Sequence, residues 1–339
     1  MSRPTGLLCV GLTTLDVVHH VSGPPRWGRK ERTLGGELVA GGPAANAAVT
    51  SARLLPGVRL LTAIGTGPAA GPVRADLAAH SVRVVDLAPP DWPLPVASAL
   101  VDPATGERTV VSPGALGAGG VSAGGRALDG LLDGVGLVLL DGHHPALAAE
   151  VAALAARARV PVLLDAGSWK DEVAELLPRV ALAACSADFQ PPGLRRAGDD
   201  PEGVATELHR RGVASVLVTD GPRPITWRTM DGQRGTVPVP SVRAVDTLGA
   251  GDVFHGALAA ALVARGGSLA GCAGLAAEVA AARCAHLGSR DWLDTPELTA
   301  LAARFAARSK GRPAGGSRGG SPGRRGGSVG RLASGAWRR

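Results

Sequence analysis

Short apolar runs alternate with Ala- and Leu-rich stretches along most of the chain. Strands are predicted for the apolar runs at 7–12, 58–65, 82–88, 135–142, 160–167, 180–187 and 213–221. Helices are predicted for the intervening stretches at 44–55, 73–80, 146–158, 170–177 and 201–211. This alternation is typical of βαβ units around a parallel sheet. Several of the runs are apolar throughout, which is expected when helices cover both faces of the sheet. The fold class predicted is α/β, with a central, mainly parallel sheet flanked by helices.

Two regions interrupt the alternation. Residues 17–40 and 93–112 are polar and rich in turn residues, and the second contains VASALVDPATGERTVVS, which reads as two strands joined by a DPATGE turn. We expect these regions to form a small β-sheet that is inserted into the α/β core and acts as a lid.

The C-terminal segment has a different composition. From Ser309 onward it is rich in Gly, Ser and Arg without apolar periodicity, so residues 308–339 are predicted to be a disordered basic tail and residues 1–307 the folded domain. The formal charge of +7 includes nine basic and no acidic residues of this tail, which leaves −2 for residues 1–307. The folded domain is therefore not expected to bind nucleic acid. The tail is either a solvated extension or a contact for a polyanion, and its partner is unknown.

Cysteine usage and hydropathy bear on the compartment. The four cysteines show neither CxxC spacing nor histidines at zinc-site intervals, which is typical of a reduced, cytoplasmic protein. No apolar run approaches the length of a membrane span, and residues 7–15 fit a first strand better than a signal peptide.

The segment 246–252, DTLGAGD, precedes an Ala- and Leu-rich helix. Its small residues leave backbone amides uncovered where the helix begins, and such a helix N-terminus binds anions such as phosphate. Asp252 would stand at that anion site as a proton acceptor. From the spacing alone, Asp252 could equally be an ordinary helix cap.

A second Gly-rich segment, AGGPAANAA, opens another helix near the N-terminus. Gly41 and Gly42 permit close approach of a ligand to the backbone, and Asn46 offers a donor and an acceptor to a hydroxyl group. A structural role for Asn46, capping or bridging turns, is an equal alternative.

These two motifs, in this order, resemble the two signatures of the ribokinase-like (PfkB) family of carbohydrate kinases. The resemblance covers about residues 7–296 and implies a ribokinase-like fold and transfer of the ATP γ-phosphoryl group to a sugar hydroxyl. It implies that Asp252 is the general base and that Gly249, Ala250 and Gly251 supply the anion hole. It further implies a sugar site formed by Asp16, in GLTTLD at the end of the first strand, together with Gly41, Gly42 and Asn46.

The same resemblance places the nucleotide. Thr219 and Gly221 resemble the family's T-x-G segment beside the ATP phosphates, and the helix at 275–284, with Ala277 and Ala281, resembles its adenine-side helix. Pro222 and Pro224 depart from the glycine-containing turn that many members have, so the resemblance implies no contact beyond Gly221.

Metal ions are implied less directly. Many members organise Mg²⁺ through an NxxE motif, and this chain has CSADF at 185–189 instead. Asp188 is the candidate substitute. The alternative is that the nucleotide phosphates hold Mg²⁺. Asp246 resembles a residue near the monovalent-cation site of some members, which leaves a role for K⁺ open. The histidines lack partners at metal-ligand spacing.

The substrate is predicted by resemblance to be a ketohexose or a derivative. GLTTLDVVHHV and GGPAANAAV resemble segments of members that phosphorylate ketohexoses or 6-deoxy-6-sulfofructose. Asp141, which ends a predicted strand, is a further candidate sugar contact, and His143 stands where a sulfonate would need a cation. Ribose, a nucleoside and a catalytically weak binding regulator are the alternatives. Many relatives pair through their lids, so a homodimer is also expected.

Overall fold

The computed structural model describes residues 4–114, 120–123, 128 and 130–307. The predicted tail at 308–339 lies outside these residues. Within them the chain forms two sheets, one large and one small, with helices packed against the large sheet.

The large sheet has nine strands in the order β13-β12-β11-β10-β9-β8-β1-β4-β5. Neighbouring strands from β5 through β11 in this order run parallel. β12 pairs antiparallel with β11, and β13 pairs antiparallel with β12. This arrangement confirms the predicted α/β class. The strands are β1 Gly6–Val10, β4 Val58–Thr62, β5 Arg83–Asp86, β8 Val135–Leu140, β9 Val162–Ala166, β10 Leu182–Ser186, β11 Ser215–Asp220, β12 Arg223–Thr229 and β13 Arg234–Val237.

Helices cover both faces of the large sheet, and its parallel strands are largely buried. The helices are α1 Pro43–Leu54, α2 Ala70–Ala79, α3 Pro145–Ala158, α4 Val173–Leu176, α5 Pro201–Arg210, α6 Ala250–Arg265, α7 Leu269–Cys284 and α8 Pro296–Ala307. The helix predicted at 170–177 begins later, at Val173, and ends at Leu176 in a 3₁₀ turn; Pro178 has no amide to donate to the carbonyl of Ala174, which accounts for the end. In the described part of the chain, no helix has the length and apolar character needed to cross a membrane.

The small sheet has the strand order β3-β2-β6-β7. Its strands are β2 Thr14–His20, β3 Gly35–Gly41, β6 Val96–Val101 and β7 Arg108–Val111. They come from the two regions predicted to form the lid, although β2 begins three residues before position 17. One face of this sheet buries Val18, Val39, Ala99 and Val101 against Leu248, which precedes α6.

Candidate active site

The two glycine-rich motifs meet where α1 and α6 pack together. Gly42 caps α1 and Gly249 caps α6, so both helices begin in the same region. About two turns along α1, Ser51 Oγ donates a hydrogen bond of 2.9 Å to the carbonyl oxygen of Gly256 and ties the helices together. This packing brings Asn46 Nδ2 to 2.9 Å from Asp252 Oδ2.

The start of α6 leaves backbone amides available to a ligand. Gly249 has φ = 71°, a left-handed conformation that favours glycine, and it turns the chain into the helix. The Ala250 amide donates to Thr247 O at 3.3 Å and the Val253 amide to Gly249 O at 2.9 Å. Among the described residues, the amides of Gly251 and Asp252 have no acceptor. These two amides point the positive end of the helix dipole at the site, which favours an anion there.

Asp252 has a pKa suited to proton transfer. Desolvation by the surrounding protein, together with the negative charge of Asp165, raises the pKa of Asp252 to about 7, although the Asn46 hydrogen bond opposes the shift. A carboxylate with a pKa near neutrality can both take and return a proton at physiological pH.

A buried pair lies behind Asp252. Asp165, at the end of β9, has Oδ2 at 3.2 Å from Nδ1 of His255 in α6, and Nε2 of His255 lies 3.1 Å from the carbonyl oxygen of Ala184. Burial works against ionisation of this imidazole, but Asp165 outweighs it and raises the pKa of His255. The histidine therefore belongs to a buried polar network rather than to a metal site.

Asp16 lies in β2 of the small sheet, not at the end of the first strand as the sequence suggested. Desolvation raises the pKa of Asp16, while a hydrogen bond from the Thr14 hydroxyl and the charge of Arg290 oppose the shift. Gly41 faces this carboxyl group so closely that a Cβ placed on Gly41 would lie 2.0 Å from Cγ of Asp16. A side chain on residue 41 would displace the Asp16 carboxyl group, which gives a reason for the first glycine of the motif.

A small cavity is lined by residues of both the predicted sugar site and the predicted anion hole. Asp16, Asn46 and Gly249 were expected at this site from the sequence, and three polar residues were not. The cavity is lined by Asp16, Val39, Asn46, Leu248, Gly249, Val253, Arg283, Ser289 and Arg290.

Arg290 holds Asn46 in place. Its Nη1 donates to Asn46 Oδ1 at 3.2 Å, and its Nη2 donates to Ala40 O at 2.6 Å and to Asp76 Oδ2 at 3.0 Å. Burial alone would raise the pKa of Asp76, but hydrogen bonds from His80 and Arg290 lower it to about 2. With its oxygen facing Arg290, the Asn46 amide presents its NH₂ group to Asp252.

Asp141 was predicted to contact the sugar, but its carboxylate is bound to the backbone instead. It is buried after β8, where Oδ2 accepts from the amides of Leu12 at 2.8 Å and Ala44 at 3.1 Å and Oδ1 accepts from the amide of His143 at 2.8 Å. Three backbone donors thus occupy the carboxylate, and neither Asp141 nor His143 lines the cavity. The geometry supports a role for Asp141 in joining β1, α1 and β8.

The predicted nucleotide residues lie outside the cavity. Thr219 and Gly221 are at the end of β11, where the Thr219 hydroxyl donates to Cys185 O at 3.3 Å. Ala277 and Ala281 are buried in the core side of α7, so their side chains do not form a binding surface. Their assignment to adenine stays a prediction that this geometry does not support.

The predicted metal residues both have arginine partners. Asp188 is exposed and pairs with Arg196 at 3.1 Å, and Asp246 is buried and pairs with Arg283 at 2.8 Å. Across the described ranges, no group of three or more His, Cys, Asp or Glu side chains is arranged to hold a metal ion.

The small sheet contacts the segment that precedes α6. The Thr247 hydroxyl donates to Gly106 O at 2.8 Å, and Arg108 Nη1 donates to the Thr247 hydroxyl at 3.0 Å. The turn between β6 and β7 therefore contacts Asp246 and Thr247, just before the predicted anion hole.

Comparison with known structures gives the same fold over most of the chain. Ribokinase from Thermotoga maritima superposes with a TM-score of 0.71 at 22% identity, over 89% of this chain and 99% of that one. Ribokinase from Giardia lamblia gives 0.74 at 16% identity, with the same coverage of 89% and 99%. Arabidopsis thaliana ribokinase, complexed with ribose and ATP, gives 0.66 at 22% identity, again over 89% and 99%.

The family match is independent of these superpositions. Residues 4–296 match the pfkB family carbohydrate kinase, and this range includes both glycine-rich motifs, the small sheet and the cavity. The match confirms the resemblance seen in the sequence. The chain therefore belongs to the pfkB family of carbohydrate kinases, phosphotransferases that act on a hydroxyl group of a sugar.

Proposed function

We propose that this chain transfers the γ-phosphoryl group of ATP to a hydroxyl group of a ketohexose or a ketohexose derivative. The observation that carries the proposal is Asp252, with a pKa of about 7, at the start of a helix whose Gly251 and Asp252 amides are available to an anion. A proton acceptor and an anion site at one point are what phosphoryl transfer to an alcohol requires.

Each part of the site has a role in this reaction. Asp252 takes the proton of the attacking hydroxyl, and the available amides of Gly251 and Asp252 stabilise charge on the transferring group. Asp16 and Asn46 bind other sugar hydroxyls beside Gly41 and Gly42. The small sheet covers the site and excludes water that would compete as an acceptor.

ATP enters this proposal as the phosphoryl donor and brings Mg²⁺ with it. Thr219 and Gly221, at the carboxyl end of β11, are the nucleotide contacts that we propose, since ligands bind at this end of parallel strands. Asp188 already pairs with Arg196, so it is a poor magnesium ligand, and we assign Mg²⁺ to the nucleotide phosphates.

The charges around the cavity favour a neutral sugar. Both arginines that line it, Arg283 and Arg290, are paired with Asp246 and Asp76. A sulfonate would have to break one of these pairs, which makes 6-deoxy-6-sulfofructose the weaker alternative. Ribose remains an alternative because the Arabidopsis relative is complexed with ribose and ATP.

The proposal is tested by ADP release from ATP and Mg²⁺ with fructose, fructose phosphates, 6-deoxy-6-sulfofructose, ribose, tagatose and nucleosides. Asp252→Asn should lower kcat by about 10³-fold, because the general base is lost. Asp91→Asn, an exposed acid far along the chain from the motifs, should leave kcat unchanged. Absence of turnover with every compound, with ligand binding intact in wild type and Asp252→Asn, would favour a binding regulator instead.

Two wider expectations belong to the same proposal. A homodimer through the small sheet is supported by exposed apolar side chains on its outer face, among them Leu38 and Val111. A cytoplasmic location is supported by the free thiols of Cys9, Cys185 and Cys284.

A further inference from the structure

A buried ion pair lies in the segment that leads into the predicted anion hole. Arg283 in α7 and Asp246 have side chains that are 2% and 0% exposed, and Nη2 of the arginine lies 2.8 Å from Oδ2 of the carboxylate. A buried charge pair of this kind is costly unless every polar atom is satisfied, so its presence next to the site requires a reason.

The guanidinium group of Arg283 contacts oxygen atoms of the segment that leads into α6 and of the turn that follows α7. Besides the carboxylate, Nη1 of Arg283 donates to the backbone carbonyl oxygens of Asp246, at 3.3 Å, and of His286, at 3.0 Å. The other carboxylate oxygen, Oδ1 of Asp246, accepts the amide of Leu248 at 2.9 Å. The positive charge thereby fixes both the position of Asp246 and the turn that follows it.

Carboxylate and carbonyl oxygens in such a cluster are also the ligands that a hard monovalent cation such as K⁺ takes. Here a permanently charged side chain occupies that cluster, and arginine does not lose its proton in proteins. The residues present therefore do not fit K⁺, because an ion could enter only by displacing the guanidinium group from Asp246.

We propose that Arg283 is a positioning residue that replaces a bound monovalent cation. It holds residues 246–251 in the geometry of the anion hole, so that phosphoryl transfer does not depend on K⁺. This inference rests on the proposed kinase function, but its structural part, that no K⁺ binds at Asp246, does not.

Two measurements on wild type test the inference directly. In KCl, NaCl and choline chloride at equal ionic strength, kcat should agree within about twofold, and Tm should show no K⁺-specific rise. K⁺-specific activation or stabilisation of wild type would overturn the proposal. Because the Tm series needs no substrate, it gives an answer even if the chain proves not to phosphorylate any sugar.

Variants of Arg283 test the positioning role. Arg283→Ala should lower kcat by about 100-fold with a smaller change in KM, and K⁺ or guanidinium should restore part of that loss and raise Tm, whereas choline should not. An Arg283→Ala protein with wild-type kcat in choline chloride would overturn the proposal. Arg157→Met, an exposed arginine of α3, is the control and should show no cation effect. If Arg283→Ala does not fold, the wild-type salt series decides.

Discussion

Asn46 Nδ2 lies 2.9 Å from Asp252 Oδ2, which joins two motifs that are 206 residues apart in the chain. The hydrogen bond is donated to the carboxylate, so it stabilises the charged form of the proposed base. It also fixes the orientation of the Asn46 amide, whose oxygen faces Arg290. The pair therefore joins the proposed sugar site to the proposed general base.

Loss of the Asn46 donor should shift the pH dependence of catalysis. In the proposed reaction Asp252 acts as the charged base, so kcat/KM should fall as pH decreases through its pKa of about 7. Asn46→Ala removes a hydrogen bond to the charged form, which should raise that pKa and move the acidic limb upward by about one pH unit. Gln190→Ala, which changes an exposed amide, is the control. An unchanged acidic limb, with only KM raised, would assign Asn46 to sugar binding alone.

Arg290 should contribute to both stability and activity. Arg290→Met leaves Asp76 largely buried without its arginine, which should cost about 2 to 3 kcal/mol of unfolding free energy near pH 7. The same variant frees the Asn46 amide, so kcat should fall as well. Arg304→Met removes an exposed pair with Glu278 and should cost less than about 1 kcal/mol.

The pH dependence of this loss identifies its cause. Asp76 has a lowered pKa of about 2, so its contribution is present above its unfolded pKa of about 4 and is lost as pH falls through 2. Denaturant unfolding should therefore show the difference between wild type and Arg290→Met shrinking as pH decreases from 5 toward 2, by the linkage relation. A constant difference over this range would point to lost packing instead of the ion pair.

The outer face of the small sheet should mediate self-association. Leu38, Val17, Ser98 and Val111 lie side by side across its four strands, and Leu38 and Val111 are 57% and 68% exposed. A charge placed on this face would be buried in a dimer, so Leu38→Asp should weaken the dimer by at least about tenfold in Kd. Light scattering after size exclusion measures this, with the exposed Met230→Asp as the control. A wild-type protein that is monomeric at every concentration would contradict the proposal.

The sequence predicted the parts of the site that rest on local backbone chemistry. Gly249 and Gly41 are recognisable because a left-handed turn and a close approach to Asp16 each exclude a side chain. Arg290 and Arg283 were not predicted to be part of the site. Their partners, Asp76 and Asp246, are distant in sequence, and no motif around either arginine marks it as a site residue.

The fold, like the site, was predicted where the sequence signal is local and was missed where it is weak. The buried parallel strands were visible as continuous apolar runs, whereas the hairpin of β12 and β13 was not predicted. Its few buried positions, such as Ile225 and Val237, give only a weak alternation, and Pro222 and Pro224 look like a turn. Asp141 follows a strand as a ligand contact would, but its orientation toward three amides could not be read from the chain.

Deletion of residues 308–339 should separate the enzyme from its basic segment. The deleted residues carry nine positive charges and no negative ones, and they lie beyond the family match, which ends at residue 296. Turnover should therefore be retained, while any polyanion affinity of the full chain, and its salt dependence, should be lost. Heparin binding and ADP release from the two proteins measure both properties. Loss of turnover on deletion would give the tail a role in catalysis.

Replacement of the proposed base should stabilise the protein in a pH-dependent way. The pKa of Asp252 is raised to about 7 in the folded state, so the folded chain holds this proton more strongly than the unfolded chain between pH 4 and 7. The free energy of unfolding of wild type therefore decreases as pH rises from 4 to 7, because the folded state loses the Asp252 proton. Asp252→Asn has no proton to lose at this position, so its free energy of unfolding does not decrease for this reason. The gain in Tm of the variant should be small near pH 4 and reach about 4 °C or more at pH 8.

This gain would come with the loss of turnover, because the desolvation and the charge of Asp165 that raise the pKa of Asp252 are also what would make it a base at neutral pH. Asp91→Asn is the matched control, since it makes the same chemical change at an exposed position, and its Tm should not move relative to wild type at any pH. A Tm difference for Asp252→Asn that is equal at pH 4 and pH 8 would mean that the carboxyl group is not held at a raised pKa. Asp252 would then be charged over most of this range, and an acidic limb of the rate profile near pH 7 would have to come from another group.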